Sequence, residues 1–271
     1  MRTKTKMLCA LYLIFIFTLS LSASFGGAIS EIIYYLAFIL PISLGLWYLY
    51  KECTKKGEFK EVLISDFKLS RDGAILSLPL FFPSIAVVCL ISYLTAALMG
   101  LLGYENPVSI NEPFICAVIL HALLPAILEE LLFRLLPMRF LEKEPKSAVI
   151  ISSLFFAFAH ANLFQIPYAF SAGIIFSVIY LISGSVIPSI ALHFLNNFIS
   201  LLSINTGKWV PIALVIAVLA IISLVGILKG RKTYLAVLSD TFKNEKIKLD
   251  SSIYIFIAVS LLLAISTLIS S

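Results

Sequence analysis

Three short patterns hold the residues that could do chemistry. Glu129-Glu130 is followed by Arg134, Phe156 by His160, and His193 by Asn197. All lie in or at the end of long apolar runs, where an ionisable group costs roughly 2.5–3.5 kcal/mol at the centre of a membrane helix. On a helix, residues four apart share a face, so Glu130 and Arg134 can pair and relieve most of that cost. Adjacent residues point about 100° apart. Glu129 therefore faces elsewhere and lacks that partner. A carboxylate in a low-dielectric site suits the work of a general base. His193 and Asn197, one turn apart, aim two polar tips at one point, which suits an oxyanion hole or a water-positioning pair. His121, beside Pro125, reads as structural.

The elements that must position these residues are membrane helices. The chain has 271 residues, of which 61% are hydrophobic and 13% charged. Soluble domains run near 45–50% apolar and about 25% charged, so a soluble enzyme, a disordered chain and a nucleic-acid binder are excluded. Spans of about 20 apolar residues are expected near 7–28, 32–50, 74–102, 113–137, 147–163, 166–183, 186–204, 209–228 and 251–270. The expected fold is an all-α, polytopic transmembrane helix bundle of about nine spans, eight being the alternative. It forms a single membrane domain over 1–271, with a motif-bearing core at about 113–204 and additional helices in 205–271. The first span reads as a retained anchor rather than a signal peptide.

Lys and Arg cluster at the amino end and in the loops after the second, fourth and eighth spans, against Lys208 alone on the other side. The positive-inside rule then places the amino end in the cytoplasm. The polar stretch from Lys51 to Asp72 fits an amphipathic surface helix or a solvated loop. Cys9, Cys53, Cys89 and Cys116 show no C-x-x-C pair and read as small apolar fillers. By depth, Glu129 and His193 are expected about 10–13 Å below the cytoplasmic surface and His160 at roughly 20 Å, all able to converge on an inward-opening pocket.

The three patterns, in this order on separate helices, resemble the CPBP family of intramembrane proteases, the type II CAAX prenyl endopeptidase or Rce1-like family, which carries E-E-x-x-x-R, F-x-x-x-H and H-x-x-x-N. The resemblance implies a multi-pass endopeptidase of the cell membrane. Glu129 would activate a water together with His160. His193 and Asn197 would hold the oxyanion, and Glu130 and Arg134 would support the site. It implies a prenylated CAAX-type protein or a membrane peptide as substrate, the lipid bilayer as environment, and no nucleic-acid partner. Two catalytic routes stay open: a metal-free glutamate route, and a zinc route with Glu129, His160 and His193 as ligands. No H-E-x-x-H is present. A transporter with a proton relay and an immunity-type membrane protein acting by binding are the competing readings. Oligomeric state cannot be read from the sequence.

Overall fold

The computed structural model describes residues 2–52, 56–103, 112–243, 246–247 and 249–270. Cys53, Lys55 and Lys248 lie outside them. The described residues form an all-α bundle with no strand. Its helices are α1 (Arg2–Ser22), α2 (Gly27–Glu52), α3 (Lys56–Asp66), α4 (Arg71–Ser77), α5 (Phe81–Leu101), α6 (Phe114–Phe140), α7 (Pro145–Ala159), α8 (Ile166–Ser183), α9 (Ile187–Thr206), α10 (Trp209–Thr241) and α11 (Ser251–Ser270). Seven of the described helical stretches are long and apolar enough to cross a membrane, and α7 and Ser251–Ile265 are shorter apolar helices. Seven is fewer than the nine spans expected, and the two shorter helices lie where the fifth and ninth were placed. Several boundaries differ. The first span stops at Ser22. The third is broken by a 3₁₀ turn around Pro79 before α5 begins. The eighth is a 33-residue helix that runs on to Thr241.

Helix ends follow local chemistry. Pro145, Pro167 and Pro188 sit in the first turns of α7, α8 and α9, where a missing N–H leaves no internal bond unmade. Gly184 and Gly207 close α8 and α9 with φ of 67° and 65°, a left-handed conformation that a Cβ disfavours.

Helix α6 lies at the centre, packed against α9, α2 and α7. Helices α1 and α2 form one flank, and α5 and α10 the other. Helix α11 fills the space beside α1 and α7. Helix α1 is built into the core: Leu8, Leu11 and Tyr12 are buried, and the Tyr12 hydroxyl donates to the Leu132 carbonyl at 2.9 Å. Apolar side chains on α10, among them Val210, Leu214 and Leu228, point outward, as a lipid-facing surface requires. Between helices, where lipid offers no hydrophobic contrast, close approach depends on small residues. Helix α8 meets α7 at Gly173, where an added Cβ would lie 2.8 Å from the Ser153 Cα.

The polar stretch after α2 folds into α3 and α4 and is pinned by Asp66. Arg139 grips the Asp66 carboxylate through Nε at 2.7 Å and Nη2 at 2.6 Å, and Tyr180 donates to the same carboxylate. The Asp66 carbonyl accepts the Val186 N–H at 2.8 Å and the Ser185 hydroxyl at 2.9 Å. One buried residue thus ties α3 to the end of α6 and to the α8–α9 connection.

Replacing Gly173 with leucine should force α7 and α8 apart. Overpacking of this kind costs about 1–3 kcal/mol, read as a lower unfolding midpoint of the detergent-solubilised protein. An unchanged midpoint would contradict the close α7–α8 contact.

Candidate functional site

The site is built on an irregular helix. Helix α6 is α-helical over Leu124–Glu130, with π-helical turns on either side at Val118–Leu123 and Leu131–Leu135. Each π turn is closed by a bond spanning five residues, Leu124 N–H to Ile119 O and Leu136 N–H to Leu131 O. One residue past each turn comes a proline, Pro125 after Leu124 and Pro137 after Leu136. A proline inside a helix has no N–H to give and crowds the carbonyl four residues back. A wider turn relieves that crowding, and π turns occur frequently at functional sites. Glu129 and Glu130 end the α-helical segment, and Arg134 lies in the second π turn.

Glu130 and Arg134 are both fully buried, with Arg134 Nε 3.3 Å from Glu130 Oε2. The pair is close but poorly aligned for a hydrogen bond, so its contribution is mainly Coulombic. The guanidinium carbon lies 4.4 Å from the Phe156 ring centroid and 5.4 Å from that of Phe176. Aromatic faces stabilise a desolvated cation. Arg134 Nη1 also donates to the Phe133 carbonyl at 3.1 Å.

His193, from α9, inserts between the two glutamates. Its Nδ1 is 2.9 Å from Glu130 Oε1 and its Nε2 is 3.7 Å from Glu129 Oε2. A carboxylate only accepts, so the 2.9 Å contact with Glu130 is an Nδ1–H donation. Adjacent glutamates on α6 diverge, but the two nitrogens of one imidazole also point apart, so a single ring reaches both. Glu129 is therefore not partnerless: its neighbour comes from another helix. The Phe156 and Phe176 rings flank His193, with centroids at 5.5 Å and 4.9 Å.

His160 caps the C-terminal end of α7. Its Nδ1 is 2.7 Å from the Phe156 carbonyl. Since a carbonyl accepts, Nδ1 carries the proton, and in the neutral ring Nε2 keeps its lone pair. Ala161 follows with a φ of 46°, a strained conformation for a residue with a Cβ and one that clusters at functional sites. The Phe156 ring, 5.1 Å from His160 edge-to-face, links this histidine to His193. Among the described residues His160 makes no ion pair, and the ring it shares with the site is Phe156, which also flanks His193. The hydrogen bond found for Asn197 among the described residues is with Asn196 Nδ2, at 3.5 Å.

The contacts gather Glu129, Glu130, Arg134 and His193 directly, His160 through Phe156, and Asn197 one turn beyond His193. Among the described residues, no three His, Cys, Asp or Glu side chains are grouped to hold a metal ion. The set Glu129, His160 and His193 is thus not assembled as a ligand shell. A cavity of about 220 Å³ opens beside Asp66, Arg139 and Tyr180, and none of the motif residues lines it. Sequence reasoning missed Phe176 and two phenols, Tyr34 on α2 and Tyr168 on α8, both within electrostatic reach of Glu129. No spacing rule marks them, because they come from α2 and α8, which carry none of the motif residues.

Residues 111–199 match the family model described as Type II CAAX prenyl endopeptidase Rce1-like. The matched stretch carries all three motifs and both π turns. No curated protein and no solved structure matches the chain. With seven long apolar helices among the described residues, the chain is a multi-pass membrane protein.

Truncating Arg134 to methionine should leave the Glu130 charge buried without its counter-ion, a loss of about 3–5 kcal/mol. Adding Glu130→Gln should recover part of it. Unfolding midpoints of the two single variants and the double variant check this. Additive losses would contradict the pairing.

Proposed function

We propose that this protein is an intramembrane endopeptidase that hydrolyses a peptide bond near the cytoplasmic membrane face, in a CAAX-type prenylated protein or another membrane peptide. The observation that carries this reading is the buried chain Arg134–Glu130–His193–Glu129, lying within the stretch that matches the Rce1-like family. The charge pattern of the loops supports an amino end on the cytoplasmic side.

The two glutamates divide the work by exposure. The Glu130 side chain is 0% exposed and already held by Arg134 and His193, whereas that of Glu129 is 14% exposed. Water can reach Glu129 and not Glu130, so Glu129 is the base. Glu129 takes a proton from water as the water oxygen bonds to the scissile carbonyl carbon. The carbonyl electrons move onto oxygen. The resulting tetrahedral species collapses, and the departing amine receives the proton held by Glu129. His160, with Nδ1–H fixed on the Phe156 carbonyl, presents Nε2 as an acceptor that orients the water.

His193 and Asn197 hold the oxyanion. For this, His193 donates from Nε2–H to the oxyanion while Nδ1–H stays on Glu130, so in this step the ring holds both protons between the Glu130 carboxylate and the oxyanion, Glu129 being neutral with the proton taken from water. Buried donors placed in advance are worth far more than the same donors in water. The route runs through side chains alone, and no step passes through a metal.

Purified protein in detergent should cleave a farnesylated CAAX-type peptide, and Glu129→Ala should reduce the rate at least about 100-fold. A strong chelator should leave the wild-type rate unchanged. Equal cleavage by Glu129→Ala would overturn the role of Glu129. Failure of folded wild type to cut prenylated and unprenylated membrane peptides alike would overturn the peptidase reading.

A further inference from the structure

We infer that Pro137 is a positioning residue for the catalytic chain, acting by keeping two carbonyls of α6 free for side-chain donors that fix Arg134. The inference rests on the peptidase reading for its kinetic consequence and on geometry alone for its structural one.

In an uninterrupted α-helix, the carbonyls of Leu132 and Phe133 would accept the N–H groups of residues 136 and 137. Neither bond forms. The Leu136 N–H is diverted to Leu131 O, and residue 137 is a proline with no N–H. Both carbonyls are deep in the bundle, where a carbonyl without a donor costs about 1–3 kcal/mol. Each instead meets donors from elsewhere. The Tyr12 hydroxyl of α1 donates to Leu132 O at 2.9 Å. The Ser152 hydroxyl of α7 donates to Phe133 O, and Arg134 Nη1 donates to the same oxygen at 3.1 Å.

The Phe133 carbonyl is thus an anchor for the guanidinium that faces Glu130. Glu130 in turn holds His193. A residue without ionisable chemistry controls the chain by what it withholds. The first π turn supplies a contrast. Pro125 likewise follows Leu123-Leu124, but among the described residues no side chain donates to the Leu120 or His121 carbonyls. A proline accompanies both wide turns, but among the described residues side-chain donors meet the freed carbonyls at the second alone.

Pro137→Ala restores an N–H that competes for Phe133 O with Ser152 and Arg134. Alanine is well tolerated in helices, so this variant should fold. The test is a double-mutant cycle on unfolding midpoints in detergent, which needs no substrate. Arg134→Lys should lower the midpoint in the wild-type background. In the Pro137→Ala background that drop should be at most half as large, and Ser152→Ala should show the same dependence. In the Pro125→Ala background the drop should be unchanged. Equal drops in the wild-type and Pro137→Ala backgrounds would overturn the proposal. So would an equal reduction by Pro125→Ala, since the effect would then be general straightening of α6.

With a cleavable peptide, Pro137→Ala should lower kcat about tenfold while KM stays within about twofold, as expected for a residue that acts on the reacting groups and not on substrate binding. If wild type cleaves nothing, the peptidase reading fails while the stability cycle still decides the role of Pro137.

Discussion

A cation and an anion with no solvent exposure, Arg134 and Glu130, set the terms for the centre of this bundle. Burying two charges is unfavourable unless attraction, hydrogen bonds and polarisable neighbours offset the lost hydration. Every group around the pair reads as part of that compensation. Phe156 and Phe176 cover the guanidinium with π faces. The Phe133 carbonyl takes one of its N–H groups. His193 gives Glu130 a second partner. These contacts come from α6, α7, α8 and α9, so the packing of four helices is tied to one electrostatic arrangement. An Arg–Glu pair of this kind is weak evidence for stability, but it fixes geometry. The consequence here is that His193 has a defined ring orientation, with Nε2 toward Glu129.

Irregular backbone lies next to this pair because the chemistry needs polar groups where a regular helix would use them up. Within lipid, freed carbonyls are tolerated only where protein satisfies them. The second π turn shows how: its carbonyls face α1 and α7, and Tyr12 and Ser152 supply the donors. The strained Ala161 and the early end of α7 have a related effect. At 15 residues, or about 22 Å, α7 is short for a crossing. Its end places His160 beside Phe156 within the bundle rather than at the surface. A second anchoring point, Asp66 with Arg139 and Tyr180, holds the far end of α6. The helix bearing the glutamates is thereby restrained on both sides of its π turn.

Much of this was legible in the sequence, and the exceptions share a cause. Apolar runs gave the helical class and the places of the apolar helices, because hydropathy over 20 residues is a local property, although only seven of the described helices are long enough to cross. The pairing of Glu130 with Arg134 was legible because one helical turn relates them. His193 reaching both glutamates was not, since that contact joins α9 to α6 across 63 residues. Asp66 looked like an ordinary solvated acid in a charged stretch, and only tertiary packing makes it a buried anchor. The π turns could have been suspected from Leu-Leu-Pro at 123–125 and again at 135–137. A proline in a membrane helix, however, equally allows a simple kink. Boundaries slipped where a polar residue sits inside a helix, as with Lys229 and Arg231 in α10, because a hydropathy window ends at charge while backbone hydrogen bonds continue.

The ring nitrogens of His193 give the most direct measurement. The protein has three histidines, so ¹⁵N-histidine NMR of the detergent-solubilised chain, assigned by single substitutions, resolves each one. A proton on His193 Nδ1, with a resonance that shifts in Glu130→Gln, is the expected result, whether or not Nε2 is also protonated. A bare Nδ1 with the proton on Nε2 alone would contradict it, because such a ring cannot donate to Glu130 and the chain from Arg134 to Glu129 would be broken at its centre.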